Sequence, residues 1–217
     1  GATYAHMVPS ATMGLLLCSM LSNIKPGEVF DCPSYTQAAT ANGSILMGAT
    51  PNFIDVDPNT YTLNFSKVQN RVVYVASING RTPADYHHQI KKLQDRGHFV
   101  IEDAAQALGS WHRDCHVGTM GHVGVFSFGA PKIITTGQGG CIITNDVGLS
   151  ERVHAIKNFG RTVGVGEVYN VMGMNFKFTD LQASFGVEQM RKLPEIVERK
   201  KEIYDLYWRE LSDVILK

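Results

Sequence analysis

The chain has 217 residues, 44% apolar and 18% charged, enough to bury a sizeable core in one large or two small domains and without the bias of a disordered segment. Lysine plus arginine and aspartate plus glutamate each number 20, so no excess charge points to nucleic acid or an acidic membrane surface. Cys18, Cys32, Cys115 and Cys141 lie far apart with no CxxC pair, as expected of reduced thiols in the cytoplasm. The sequence shows neither a signal-peptide pattern nor an apolar run long enough to cross a bilayer.

In chain order, Ser10 or Thr12 caps a helix running to about Ser22, Glu28–Cys32 is a strand, and Thr36–Met47 a helix of small residues. Strands follow at Pro51–Val56 and Val72–Ile78. From Ala84 to Arg96 the apolar positions Tyr86, Ile90 and Leu93 share a helical face, and Gly97 stops the helix. Phe99–Glu102 and Val123–Phe128 are strands, then a hairpin pair is expected around Ile133–Thr136 and Gly140–Thr144. A helix covers Gly148–Asn158. Gly160–Gly173, with four glycines, reads as a mobile loop. Thr179 and Asp180 start a further helix, Pro194 fits the first turn of the next, and apolar residues recur to Leu216.

Alternating strands and helices with near-continuously apolar strands predict an α/β fold: a three-layer sandwich with a mainly parallel, mixed central sheet. Ligands in such sheets sit beyond the carboxyl ends of the strands. Lys132 falls there, in FSFGAPKIITTGQGG, behind a Gly-Ala-Pro turn and hemmed in by Phe126, Phe128 and Ile133. Partial desolvation would lower its pKa and suit it to Schiff-base chemistry, while a lysine snorkelling out of a loop is the ordinary alternative. Ser10, Ala11 and Thr12 precede a helix whose free amides suit a phosphate, or Ser and Thr are simply caps. Asp103 ends the strand FVIE, with Gln106 three residues on; it reads as the partner of a protonated pyridine nitrogen, or as an ordinary ion-pair partner or helix cap. Ser127 lies five residues before Lys132, a spacing that lets both reach opposite ends of one small ring.

VIEDAAQALGS, then VGTMGHVGVFSFGAPKIITTGQGGCIITND, then MNFKFTDLQASFGVEQMRKL resemble the DegT/DnrJ/EryC1/StrS family of PLP-dependent sugar aminotransferases, over about Tyr4 to Lys200. The resemblance implies the large domain of a PLP-dependent transferase of fold type I, with pyridoxal 5′-phosphate as cofactor. It implies amino transfer from an amino acid, glutamate in the first place, to a nucleotide-linked keto-sugar, at a site shared across a homodimer. By the same resemblance Lys132 would hold PLP and shuttle protons, Asp103 would pair with the pyridine nitrogen, and Gln106 would lie by the ring near its 3-hydroxyl. Ser10-Ala11-Thr12 matches the phosphate loop, with Ser127 as a further phosphate ligand. Asn175 matches the residue that reaches the neighbouring subunit's phosphate, with Lys177 a rival alignment for that role.

Two positions depart from the family pattern. In CPSYTQAATAN, Gln37 stands where an aromatic residue commonly stacks on the PLP ring, so Tyr35 or another side chain would have to supply that face. Gln138 stands where TTGEGG has glutamate. By comparison with the family, residues 1–193 form the large domain without its N-terminal part, and 194–217 begin the long helix leading to an absent small domain. A non-catalytic remnant that dimerises or binds PLP is therefore an alternative. A sugar dehydratase using PMP is another, although its relatives replace the lysine. His112, Cys115 and His116 in one polar turn, with no second cluster, are read as surface residues, and no metal is expected.

Overall fold

A computed structural model describes residues 1–162 and 168–215. In chain order the main elements are β1 (Tyr4–Val8), α1 (Ala11–Leu21), β2 (Val29–Pro33), α2 (Ala38–Leu46), β3 (Thr50–Ile54), β4 (Val72–Ala76) and α3 (Tyr86–Asp95). There follow β5 (Phe99–Asp103), β6 (Trp111–His112), β7 (Cys115–His116), β8 (Val123–Ser127), β9 (Gly140–Thr144), α4 (Val147–Lys157) and α5 (Asp180–Ile215).

Seven strands form one sheet in the order β1-β9-β8-β5-β4-β2-β3, with β6 and β7 a separate hairpin. Only β9 runs against the others, pairing antiparallel with both β1 and β8. The sheet is therefore mixed but mainly parallel. Period-2 alternation splits its side chains between two cores. Val72, Tyr74, Ile101, Val125 and Ile142 face one side, with Leu15 and Leu17 of α1 and Ile156 of α4. Val73, Val75, Val100, Phe126 and Ile143 face the other, with Tyr86, Ile90 and Leu93 of α3 and Leu193 and Ile196 of α5. This is the expected three-layer sandwich.

α3 buries the face foreseen for it and ends in a Schellman turn: His98 N–H donates to Leu93 O at 3.1 Å and Gly97 N–H to Gln94 O at 2.9 Å, with Gly97 at φ 85°. Three expectations need correction. β1 was not anticipated; it is a half-exposed edge strand. Ile133–Thr136 is not a strand, because the loop folds back onto β8's end, Thr136 N–H and Thr135 Oγ1 both donating to Phe128 O at 3.0 Å; β9 pairs with β8 directly. Pro194 does not begin a new helix but sits within α5. The carbonyl its missing N–H leaves free belongs to exposed Met190, where solvent can satisfy it. The middle of the glycine-rich stretch, 163–167, and Leu216 lie outside the described residues. No helix among the described residues is long and apolar enough to cross a membrane.

Candidate active site

The topology sends the ends of β1, β2, β4, β5 and β8 to one edge of the sheet. The register lines them up: Val8 and Ser127 both pair with Gly140, and Asp103 pairs with Ala76 and Val125. Gly140 has to be glycine, since a Cβ there would lie 2.6 Å from Ala11 N and Ser10 C. Its bare backbone lets the start of α1 lie directly against β9.

Two adjoining cavities open along this edge, about 350 Å³ and 610 Å³, both lined by Gln37, Gln106, Ser127 and Lys132. Ala11, Thr12, Asp103 and Gln138 complete the inner one, and Asn79, Ser110 and Lys200 the outer one. The structure thus gathers Ala11, Thr12, Gln37, Asp103, Gln106, Ser127 and Lys132 from four separate segments. A larger cavity of about 690 Å³, between residues 56–66 and α3, contains none of them. Its loop carboxylate Asp57 is already used in accepting the Asn59 and Thr60 amides.

Asp103 is the buried anchor. Thr40 Oγ1 donates to its Oδ2 at 2.7 Å and Ala105 N–H to its Oδ1 at 3.1 Å. Burial pushes its carboxyl above the ordinary aspartate range, opposed by these two bonds and by the charge of Lys132. No cation lies within ion-pair distance of it among the described residues. Its neighbour Glu102 points to the opposite face, where it accepts from Tyr86 Oη at 2.9 Å, Gly118 N–H at 3.0 Å, Met120 N–H at 2.7 Å and Gly121 N–H at 2.5 Å. That cage ties β5 to the loop entering β8, and so to the segment carrying Ser127 and Lys132.

Lys132 is half-buried and its ammonium has no partner among the described residues, although its backbone is fixed by a 3.0 Å bond to Gly129 O. The loop beyond it is held by α5: Gln189 Oε1 accepts from Thr135 N–H, and Gln182 Nε2 donates to Gln138 O. Ser127 Oγ accepts from Gly129 N–H at 3.4 Å. Gln106 Oε1 accepts from the N–H of Asn79, a residue in left-handed conformation at φ 53°, which leaves the Gln106 amide N–H₂ free to donate.

At the start of α1, Ser10 Oγ accepts from Met13 N–H at 3.2 Å and Ser10 O from Gly14 N–H at 2.9 Å. Ser10 is therefore occupied as a cap and does not line the cavities, whereas the amides of Ala11 and Thr12 have no acceptor among the described residues. Gln37 occupies the N-cap position of α2 without a capping bond. Tyr35 does not take its place at the cavity; it packs on Tyr61 with centroids 5.5 Å apart. Asn175 is exposed and outside the cavities, its Oδ1 accepting from Lys177 N–H at 3.2 Å.

His116 uses both ring nitrogens locally, on Val117 O and Gly109 N–H, and no group of three metal-ligating side chains occurs among the described residues. Thr40, Asn79 and Lys200 were not singled out from sequence. Only Thr40 left a signal there, the last threonine of the PSxTxxAT run.

Similar sequences and the same fold recur in other proteins. The GDP-perosamine synthase of Escherichia coli O157:H7 is 32% identical over 98% of this chain and 60% of its own length. An aminotransferase of the DegT/DnrJ/EryC1/StrS group from Brucella abortus superposes with a TM-score of 0.92 at 28% identity, over 99% of this chain and 61% of its own. The aminotransferase TlmJ of Streptoalloteichus hindustanus superposes at 0.90 with 34% identity, over 97% and 59%. The chain thus spans about 60% of the length of these relatives. The model of the DegT/DnrJ/EryC1/StrS aminotransferase family matches residues 1–217, and the chain belongs to that family.

Proposed function

We propose that the chain is the cofactor-binding part of a PLP-dependent aminotransferase that moves an amino group from an amino acid, glutamate in the first place, to a nucleotide-linked keto-sugar. The observation that carries this reading is the meeting of Asp103, a buried carboxylate without a cation, and Lys132, an amine without an anion, at one strand edge.

The residues present fit the cofactor. Asp103 calls for a positive partner, which a protonated pyridine nitrogen supplies. The free amides of Ala11 and Thr12, at the positive end of α1, together with Ser127 Oγ, would hold a phosphate. Gln106 would donate to the ring's 3-oxygen, and Lys132 Nζ would engage the aldehyde carbon. When bound, PLP acts as an electron sink that stabilises a carbanion next to nitrogen.

Thr40 and the Ala105 amide orient Asp103 and, as donors to its carboxylate, favour the ionised form against the cost of burial. Lys132, its backbone fixed by the Gly129–Lys132 turn, would take and return at Nζ the proton that moves during transfer. Gln37, exposed at the cleft, would offer an amide where the family pattern has an aromatic ring. By comparison with the family, residues 1–193 belong to the large domain and 194–217 to the helix leading onward. A homodimer completes the site in this reading, with exposed Asn175 serving the partner's phosphate. The four free cysteines accord with a cytoplasmic setting.

The test is the first half-reaction. The PLP-loaded chain given glutamate should change its visible spectrum and release one equivalent of 2-oxoglutarate. A PLP-loaded chain that does neither is the non-catalytic remnant instead.

A further inference from the structure

α5 packs on the domain through one stripe. Leu193 and Ile196 enter the second core, Val197 lies against Gly109, and Tyr204 lines a groove beside the cleft. Lys200 is seven residues beyond Leu193 and four before Tyr204, two turns and about one turn of helix, so it continues the line of this stripe past its packed part and stands exposed at the mouth of the cleft.

Lys200 lines the outer cavity together with Gln37, Gln106 and Lys132, and also the adjoining groove. Its neighbours in sequence are each neutralised within the helix, Arg199 by Glu202 at 2.7 Å and Lys201 by Glu198 at 3.5 Å. Lys200 has no carboxylate partner among the described residues. With Asp103 and Lys132 committed to the cofactor, Lys200 is the remaining charged side chain among the described residues lining the two cavities.

We infer that Lys200 is a substrate-recognising residue that binds the anionic oxygens of the substrate at the mouth of the cleft. This rests on the aminotransferase reading above. Two parts of the reactants carry that chemistry: the carboxylates of the amino-acid donor and the diphosphate of a nucleotide-linked sugar. A single unpaired ammonium at the opening also draws anions toward it before contact.

The experiment is calorimetric titration of the PLP-loaded chain with 2-oxoglutarate and, separately, with inorganic pyrophosphate. Lys200→Ala should weaken at least one of them about fivefold, the size of one partly exposed charge pair. Lys200→Arg should stay within about twofold of the parent, as should Lys201→Ala, whose charge is already paired. The weakened arm identifies the reactant that Lys200 reads. Unchanged affinity for both anions in Lys200→Ala, or no binding of either by the parent chain, overturns the inference. The visible band of bound PLP, recorded first and compared with Lys132→Ala, separates this from failure of the cofactor reading. A normal band with unchanged anion affinity sinks only the role of Lys200, and absence of a lysine-dependent band sinks both.

Discussion

Thr40 Oγ1 reaches across from α2 to donate a 2.7 Å hydrogen bond to Asp103 Oδ2, while Ala105 N–H holds Oδ1. The carboxylate of Asp103 is thus aimed from two places, α2 and the turn that follows β5. It is buried, and burial pushes its pKa up. The folded chain binds this proton more tightly than the unfolded chain. Stability of the cofactor-free chain accordingly falls as pH rises from the unfolded value, 3.8, through the folded one.

Asp103→Asn removes that cost while keeping the shape. We expect the melting temperature of the cofactor-free variant at pH 7 to equal or exceed that of the parent. PLP affinity, read by absorbance titration, should fall by roughly 10- to 100-fold, the loss of one hydrogen bond to a charged group. Affinity within twofold of the parent would remove Asp103 from the cofactor site.

Thr40→Val deletes the aiming hydroxyl and nothing of similar size. The expected loss is about 1 kcal/mol of PLP binding, close to fivefold, with Lys132 still competent to react. If Thr40 served only to pack α2, the variant would lose melting temperature while its PLP affinity stayed unchanged.

Gly140→Ala tests the apposition of β9 and α1. A methyl group would meet Ala11 N and Ser10 C at 2.6 Å, and both are backbone atoms that cannot rotate away. Destabilisation of about 2 kcal/mol or more is expected in urea unfolding, with weaker binding of PLP than of its unphosphorylated analogue pyridoxal relative to the parent. Equal losses for both would argue against a phosphate contact at Ala11 and Thr12.

His6 governs the acid side of stability. Its Nε2 bonds Ser150 Oγ at 2.8 Å, and burial, then the charges of Lys157 and His154, lower its pKa to about 4. Between pH 6.5 and about 4 the unfolded chain takes up this proton more readily than the folded one, so the contribution of His6 weakens as pH falls through that window. The ring is about half exposed, which discounts the effect to about 1 kcal/mol. His6→Gln should flatten the stability profile over this range in chemical unfolding at stepped pH; an unaltered slope would place the dependence elsewhere.

Much of the scaffold was legible in the sequence. β2, β4, β5 and β8 are short apolar runs between turn signals, and α3 carries one clean amphipathic face. What was not legible depends on partners far along the chain. β1 is an edge strand defined by pairing with β9, some 135 residues later. Ile133–Thr136 has the apolar, β-branched composition of a strand but spends its hydrogen bonds on Phe128. The cleft residues were visible because glycine, proline and charge interrupt apolar strands at their ends. Thr40 and Lys200 were not, since a threonine on a small-residue helix and a lysine in a charged run acquire meaning only when α2 and α5 are laid beside Asp103 and Lys132.

The central claim is that Lys132 is the amine that holds PLP, and borohydride trapping followed by peptide mapping tests it most directly. After incubation with PLP and reduction, the phosphopyridoxyl mass should be found on the peptide containing Lys132 and be absent from Lys132→Ala, with Lys200 and Lys177 unlabelled. A label carried mainly by another lysine, or one that persists in Lys132→Ala, would contradict the account.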